Sequence, residues 1–364
     1  MNQHYGKLFE VQLAGESHGL GVGAIIQGCP AGLPLSEDDI QAELDKRKPG
    51  QKLTTARREK DQVHIKTGVF NGKTTGAPIL LWIDNQDVQS ASYEKLRETP
   101  RPGHADFTAH EKYGGYNDYR GSGPFSARLT APLVAASAVA RKLLKTEGIE
   151  ILGHVQQLGG LKVDNASDDD LRTNVPDSAL RCADPAMEKR FEKSLQEALK
   201  AGDSLGAVIE CRVLNLPAGV GEPRAQSVES LIGAYCLAIP AAKGVEFGSG
   251  FAAAAMRGSE HNDTYEQDEN GKIVTTTNHS GGTLGGITTG MPLVFRVAFK
   301  PTSSIKKTQV TLNTKTKAQA ELNVTGRHDP CVALRAVPIV EAAAALALAD
   351  LMLQAQKIPK VLKK

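Results

Sequence analysis

The sequence predicts an α+β fold built as one large domain from antiparallel sheets and covering helices. Three observations predict it. Strand-like apolar stretches at 9–12, 21–27, 63–70 and 79–83 precede the first long helical pattern, and helical patterns at 131–145, 185–199, 227–237 and 339–353 follow. Strands and helices do not alternate steadily, as a doubly wound parallel sheet requires. No internal repeat or low-complexity tract divides residues 1–364.

Residues 9–12 and 21–27 flank the loop Gly15-Glu16-Ser17-His18-Gly19, which then connects paired strands. Ser36-Glu37-Asp38-Asp39 opens a helix running to about residue 46, with a serine cap and acidic residues at the positive end of the dipole. Residues 47–60 are basic and punctuated by glycine and proline, and read as a flexible loop. Residues 63–70 and 79–83 read as strands around the Asn71-Gly72 turn. The Ala/Leu/Val-rich 131–145 segment ends in basic residues before Gly148, a buried helix with a glycine stop. Asp184-Pro185 opens a helix in which Met187, Phe191, Leu195 and Leu199 stand four apart, with Gly202 past its end. Residues 206–216 alternate as a strand, 227–237 read as a helix, and 339–353 as a C-terminal helix covering a sheet.

A formal charge of +2, 23% charged residues and 40% hydrophobic residues describe an ordinary soluble chain without the positive excess that marks nucleic-acid binders. Cys29, Cys182, Cys211, Cys236 and Cys331 are odd in number, scattered and free of Cys-x-x-Cys pairs, which fits reduced thiols better than disulfides or zinc. The N-terminus has no long apolar run, and the longest apolar stretch, 342–353, is interrupted by Asp350 and falls short of the roughly 20 residues a membrane span needs. The expectation is a cytoplasmic protein with neither membrane nor nucleic acid as partner.

Three remote segments each set a histidine among glycine, proline and charged residues: 15–19, Arg101-Pro102-Gly103-His104-Ala105-Asp106 and Gly326-Arg327-His328-Asp329-Pro330. Such segments form tight loops that present binding and catalytic groups. Histidine exchanges protons near neutrality with little tuning, so His18 and His104, each beside polar groups and glycines, are candidate acids. His64, His110, His154 and His261 lack that setting and read as ordinary hydrogen-bonding residues. No His-x-x-x-His spacing argues for a metal, and none is expected. Arg47, Arg57, Arg58, Arg101, Arg120, Arg128, Arg327 and Arg335 lie in or beside these loops, and guanidinium forks suit carboxylate and phosphate, so the ligand is a polyanion. Lys300-Pro301-Thr302-Ser303-Ser304 joins one cation to three hydroxyls, equally a phosphate cradle or a polar turn. The glycine-dense 278–290 stretch lacks the spacing and preceding strand of a dinucleotide loop.

The ordered set of segments resembles the chorismate synthase family. The resemblance rests on 15–19, Arg47-Lys48-Pro49-Gly50-Gln51, Thr54-Thr55-Ala56-Arg57-Arg58-Glu59, Gly72-Lys73-Thr74-Thr75-Gly76, 101–106, Asp118-Tyr119-Arg120-Gly121, Ser126-Ala127-Arg128, 281–286, 300–305 and 326–331, spread over nearly the whole chain. It implies a β-α-β sandwich assembling as a homotetramer. It also implies a carbon–oxygen lyase that eliminates phosphate from 5-enolpyruvylshikimate 3-phosphate in a 1,4 sense to give chorismate, requiring reduced FMN without net redox change. The alternatives are a diverged flavoenzyme and a non-catalytic binder of another phosphorylated acid.

By the same resemblance, His18 protonates the reduced flavin, His104 protonates the leaving phosphate, Asp329 helps take a proton at flavin N5, and Ser17 and Ser126 relay protons. Ser126, Ala241, Gly285, Lys300, Pro301, Thr302, Ser303, Ser304 and Arg327 line FMN. Arg47, Lys52, Arg128 and Arg327 face substrate anions, or the phosphate of NADPH where that reductant binds. The chain departs from the family's Gly-Gly-Gly-Arg-x-Ser-Ala-Arg-Glu-Thr by reading Gly121-Ser122-Gly123-Pro124-Phe125-Ser126-Ala127-Arg128-Leu129-Thr130, and Lys52 stands where an arginine is usual.

Overall fold

The computed structural model describes residues 3–48, 61–86, 93–324 and 329–363, so most of the basic loop expected at 47–60 lies outside it. The first sheet comes from β1 (His4–Tyr5), β2 (Glu10–Gly15), β3 (Gly21–Gln27), then, after α1 (Glu37–Arg47), β4 (Val63–Ile65). A small hairpin, β5 (Val69–Phe70) and β6 (Lys73–Thr74), precedes β7 (Ile79–Asp84), and the sheet order is β1-β2-β3-β7-β4. Helices α2 (Asp106–Tyr113) and α3 (Thr130–Lys145) lead to β8 (Glu150–Leu158) and β9 (Leu161–Lys162). Helices α4 (Asp168–Asn174) and α5 (Pro185–Lys200) precede β10 (Ala207–Leu214), and α6 (Val228–Leu237) precedes β11 (Ala242–Phe247). After α7 (Gly258–His261) come the pairs β12 (Tyr265–Gln267) with β13 (Ile273–Thr275) and β14 (Thr283–Leu284) with β15 (Ile287–Thr288). Then follow β16 (Leu293–Phe299), the pair β17 (Gln309–Leu312) with β18 (Gln319–Leu322), and α8 (Ala333–Gln354). The second sheet runs β11-β16-β10-β8-β9, and its strand pairs, like those of the first sheet, are antiparallel. The fold is α+β.

Alternation decides which face each strand buries. In β7, Ile79, Leu81 and Ile83 are buried while Leu80 and Trp82 are half-buried, and β10 buries Ile209, Cys211 and Val213 in the same way. Helix α3 packs on β3 and β7, α8 packs on β8 and β10, and the two helices pack on each other. Both are apolar on nearly every side, as helices enclosed by protein must be, and runs such as Ala135–Ala136 and Ala342–Ala345 let their axes approach closely. Helix α8 is long and apolar enough to cross a membrane, yet 94% of that apolar window is buried within the fold.

The expected elements form, with informative shifts. Ser36 caps α1 in a reciprocal box with Asp39, and Asp184 caps α5. The strand expected over 63–70 breaks at Gly68, where φ is +86° and a Cβ would lie 2.8 Å from the Pro78 carbonyl oxygen. In α5 the stripe drifts, because each four-residue step overshoots a turn by about 40°. Phe191 and Leu195 are therefore buried, whereas Leu199 is exposed and Ala198 takes its place. Helix α8 starts at Ala333, earlier than expected, with Pro338 inside it at the loss of one backbone donor. Helix α2 and strands β11 and β16 were not among the expected elements, although Leu293–Phe299 alternates buried and half-buried residues.

One buried carboxylate ties the N-terminus to α8. Asp350 Oδ1 accepts hydrogen bonds from the backbone N–H groups of Lys7, Leu8 and Phe9 at 3.0, 2.6 and 2.9 Å. Asp350→Ala leaves these donors unpaired and should cost about 3 kcal/mol, read as a lower urea midpoint at unchanged m-value.

Candidate active site

The 101–106 segment turns tightly, with Gly103 at φ +69° and the His104 N–H donating to the Arg101 carbonyl at 3.2 Å. Asp106 is the first residue of α2. Buried Arg101 grips its carboxylate with two bonds of 2.8 Å, from Nε to Oδ2 and from Nη2 to Oδ1. His104 Nδ1 lies 2.7 Å from Asp106 Oδ1. Burial alone pushes the Asp106 carboxyl up, but the hydrogen bonds of Arg101 and His104 outweigh it and hold the group well below the ordinary carboxylate range.

The 300–304 segment is stitched to that turn. Lys300 Nζ donates to the Gly103 carbonyl at 2.9 Å and to Ser303 Oγ at 2.8 Å, and Ser303 Oγ donates to the same carbonyl at 2.7 Å. Arg101 Nη1 donates to Ser304 Oγ at 3.1 Å. Desolvation by burial, then the nearby charge of Lys243, lowers the Lys300 pKa.

His18 is held from behind. Asn85 Nδ2 donates to the carbonyls of Glu16 and Gly19, each at 2.9 Å, and fixes the 16–19 loop. Gly121, Ser122 and Gly123 all have positive φ, of 58°, 70° and 50°. Ser122 therefore occupies a left-handed conformation, and its hydroxyl accepts from Arg101 Nη2 at 2.9 Å. A Cβ on Gly121 would lie 2.4 Å from His18 Cδ2 and 2.7 Å from Ser17 Oγ. Gly121→Ala should thus displace the imidazole and bring turnover down to the level of His18→Ala, with melting temperature as the check on folding.

Arg47 and Arg128 converge on one fully buried carboxylate. Arg47 donates to Asp61 Oδ2, Thr130 Oγ1 and the Ala127 carbonyl at 2.9, 2.8 and 2.9 Å. Arg128 donates to Asp61 Oδ1, to Asn85 Oδ1 at 2.9 Å and to the Asp84 carbonyl at 3.2 Å. Both guanidiniums thus share the Asp61 carboxylate beneath the site.

These pieces surround a cavity of about 680 Å³. Of the residues singled out in the sequence, Arg47, Arg101, His104, Ser126, Ala241, Lys300, Thr302, Ser303, Ser304, Asp329 and Arg335 line it. His18 and Ser17 do not; they sit behind Gly121, with His18 edge-on to the cavity-lining Tyr93 at 5.3 Å between ring centres. Arg128 lies behind the wall on Asp61, Pro301 packs near Gly206, and Gly285 stands on the β14–β15 turn away from the lining. Lys52 and Arg327 fall outside the described residues. Asp329 Oδ2 accepts from Arg335 Nη1 at 3.0 Å, and its carbonyl accepts from Thr302 Oγ1 at 3.0 Å. Part of the lining is apolar, with Leu237, Ala238, Ile239 and Pro240 at the end of α6 together with Phe125, Val332 and Ala336. Sequence reasoning missed this wall, Lys243 and Asp61; only the cation three residues after Pro240 gave any sign.

The family model for chorismate synthase matches residues 9–353. The chorismate synthase of Dehalococcoides mccartyi is 50% identical over 364 residues, all of both chains. That of Chitinophaga pinensis is 50% identical over 99% of each chain, and that of Aeropyrum pernix is 48% identical over 96% of this chain and 92% of its own. A crystal structure of chorismate synthase is similar with a TM-score of 0.76 at 33% identity, covering 96% of this chain and 92% of that one.

Proposed function

The chain belongs to the chorismate synthase family of carbon–oxygen lyases, which release phosphate from 5-enolpyruvylshikimate 3-phosphate to form chorismate in the shikimate pathway, and we propose that the 680 Å³ cavity is where it does so. The observation that carries the reading is the meeting of His104, Lys300 and Asp329, far apart in sequence, on one cavity with an apolar wall. The family's cofactor, reduced FMN, fits what is there. Lys300 and Lys243 line the same cavity beside the Ser303 hydroxyl, which suits a phosphate, and the Leu237–Pro240 wall suits a flat ring. Ser126, Ala241 and 302–304 complete the side that would hold it. The chemistry that FMN supplies when bound is transient electron density at the carbon losing phosphate.

The protein's own groups bind, orient and move protons. Arg47, which lines the cavity with Arg128 behind it, faces the substrate's carboxylates, and Arg101 stands next to the departing phosphate. His104 donates a proton to that phosphate from Nε2. His18 delivers a proton through the gap that Gly121 leaves, with Ser17 and Ser126 as hydroxyl relays, and Asp329, oriented by Arg335, accepts the proton that leaves with the ring hydrogen. Arg47, Lys52, Arg128 and Arg327 face substrate anions, or the phosphate of NADPH where that reductant binds.

The packing of α3 and α8 on the two sheets and on each other supports a single β-α-β sandwich domain spanning 1–364. The chain works in the cytoplasm as a homotetramer. An anaerobic assay with the enolpyruvyl substrate and dithionite-reduced FMN tests the function: phosphate and chorismate should appear in equal amounts, and neither without flavin. Phosphate release without flavin, or none with it, overturns the reading.

A further inference from the structure

We propose that Asp106 is a positioning residue that fixes the tautomer of His104, keeping the proton on Nδ1 so that Nε2 is the nitrogen that exchanges protons with the ligand. The proposal rests on the reading of His104 as the acid. Two neighbours compete for Nδ1. Asp106 Oδ1 lies at 2.7 Å and Arg101 Nη2 at 3.1 Å. A guanidinium nitrogen only donates, so Arg101 favours a bare Nδ1, whereas a carboxylate only accepts, so Asp106 favours a protonated one.

Counting hydrogens decides between them. Arg101 Nη2 carries two, and both are spent, on Asp106 Oδ1 at 2.8 Å and on Ser122 Oγ at 2.9 Å. No donor is left for His104, so its distance to Nη2 is a contact made while both groups serve the same carboxylate oxygen. A bare Nδ1 held 2.7 Å from that oxygen would set lone pair against lone pair. The proton therefore resides on Nδ1 and is donated to Asp106. Nε2 has no hydrogen-bond partner among the described residues. The unit then cycles cleanly: imidazolium gives up its Nε2 proton to the leaving phosphate and becomes the Nδ1–H tautomer, which regains a proton at Nε2 for the next turnover.

The surroundings explain why a carboxylate is kept here. Among the described residues, charged groups near His104 include Arg101 and Asp106 from its own turn, Arg97, Lys300 joined to Gly103, and, elsewhere on the cavity wall, Lys243 and the Arg335–Asp329 pair. Among the described residues, Asp106 is the carboxylate in contact with the ring. Arg101 in turn holds Asp106 and, through Ser304, fastens it to the 300–304 segment, so the acid and that segment keep one alignment.

The test is 15N NMR of histidine-labelled full-length protein with steady-state kinetics of the same samples. At a pH high enough for the neutral ring, the wild-type His104 signal, assigned by its loss in His104→Ala, should show Nδ1 protonated and Nε2 bare. Asp106→Asn, whose amide nitrogen can face Nδ1 as a donor, should shift the ring toward the Nε2–H form and lower kcat about 10²-fold or more with KM within a few-fold, the pattern of a wrong-tautomer catalyst. Asp106→Glu should restore the tautomer and part of kcat. In a His104→Ala background, Asp106→Asn should add no further loss. A wild-type Nε2–H tautomer, or one unchanged in Asp106→Asn, overturns the proposal. Full turnover by His104→Ala instead overturns the assignment of the acid, leaving the tautomer result to stand.

Discussion

Replacing His104 by alanine should lower kcat by 10²- to 10⁴-fold, about the range that a positioned general acid contributes, while leaving flavin affinity nearly intact. The separation follows from the structure. His104 touches the site through a ring held by Asp106, whereas the cations suited to the flavin phosphate, Lys300 and Lys243, keep their places without it: Lys300 is anchored by the Gly103 carbonyl and Ser303, both backbone or hydroxyl contacts that alanine preserves. Single-turnover kinetics with pre-reduced FMN would isolate the loss in the chemical step. Equal losses in flavin binding and turnover would mean that His104 is a structural member of the pocket.

Asp61→Ala should produce the largest loss of stability. Its carboxylate is fully enclosed and is the shared partner of Arg47 and Arg128, themselves only 2% and 5% exposed in their side chains. Removing it leaves two buried guanidiniums facing each other, and breaking a buried pair costs about 3–5 kcal/mol even before their mutual repulsion is counted. A urea melt reads this as a shifted midpoint. Asp61→Asn, which keeps the shape and one acceptor, should lose less; equal stability of all three proteins would show that Asp61 is not what holds the two arginines.

Much of this site was legible because its backbone is unusual. Gly103, Gly121 and Gly123 occupy left-handed conformations, and glycine and proline in short loops advertise such places whatever the surrounding fold. His18 and His104 stood out for that reason. Arg47 and Arg128 were also visible, but not their employment: as charges near glycine loops they read as ligand contacts, and only closure of the fold brings Asp61 between them. No local pattern marks Asp61, since its role depends on two arginines, one 14 and the other 67 residues away. The apolar wall was hidden for the opposite reason. Residues 237–242 look like a helix end, and their use as a surface for a ring depends on which loops lie opposite. The α+β class was readable from the order of patterns, whereas α2 was obscured because its first residue, Asp106, belongs to a loop motif and its apolar content is slight.

The central claim is that one cavity gathers flavin, substrate and acid. A crystal structure with FMN and the enolpyruvyl substrate bound measures it most directly. The account predicts both molecules together between Lys300 and the Leu237–Pro240 wall, with His104 in reach of the substrate's phosphate and His18 on the flavin's side of Gly121. Flavin bound at a different surface, with His104 touching neither molecule, would contradict it.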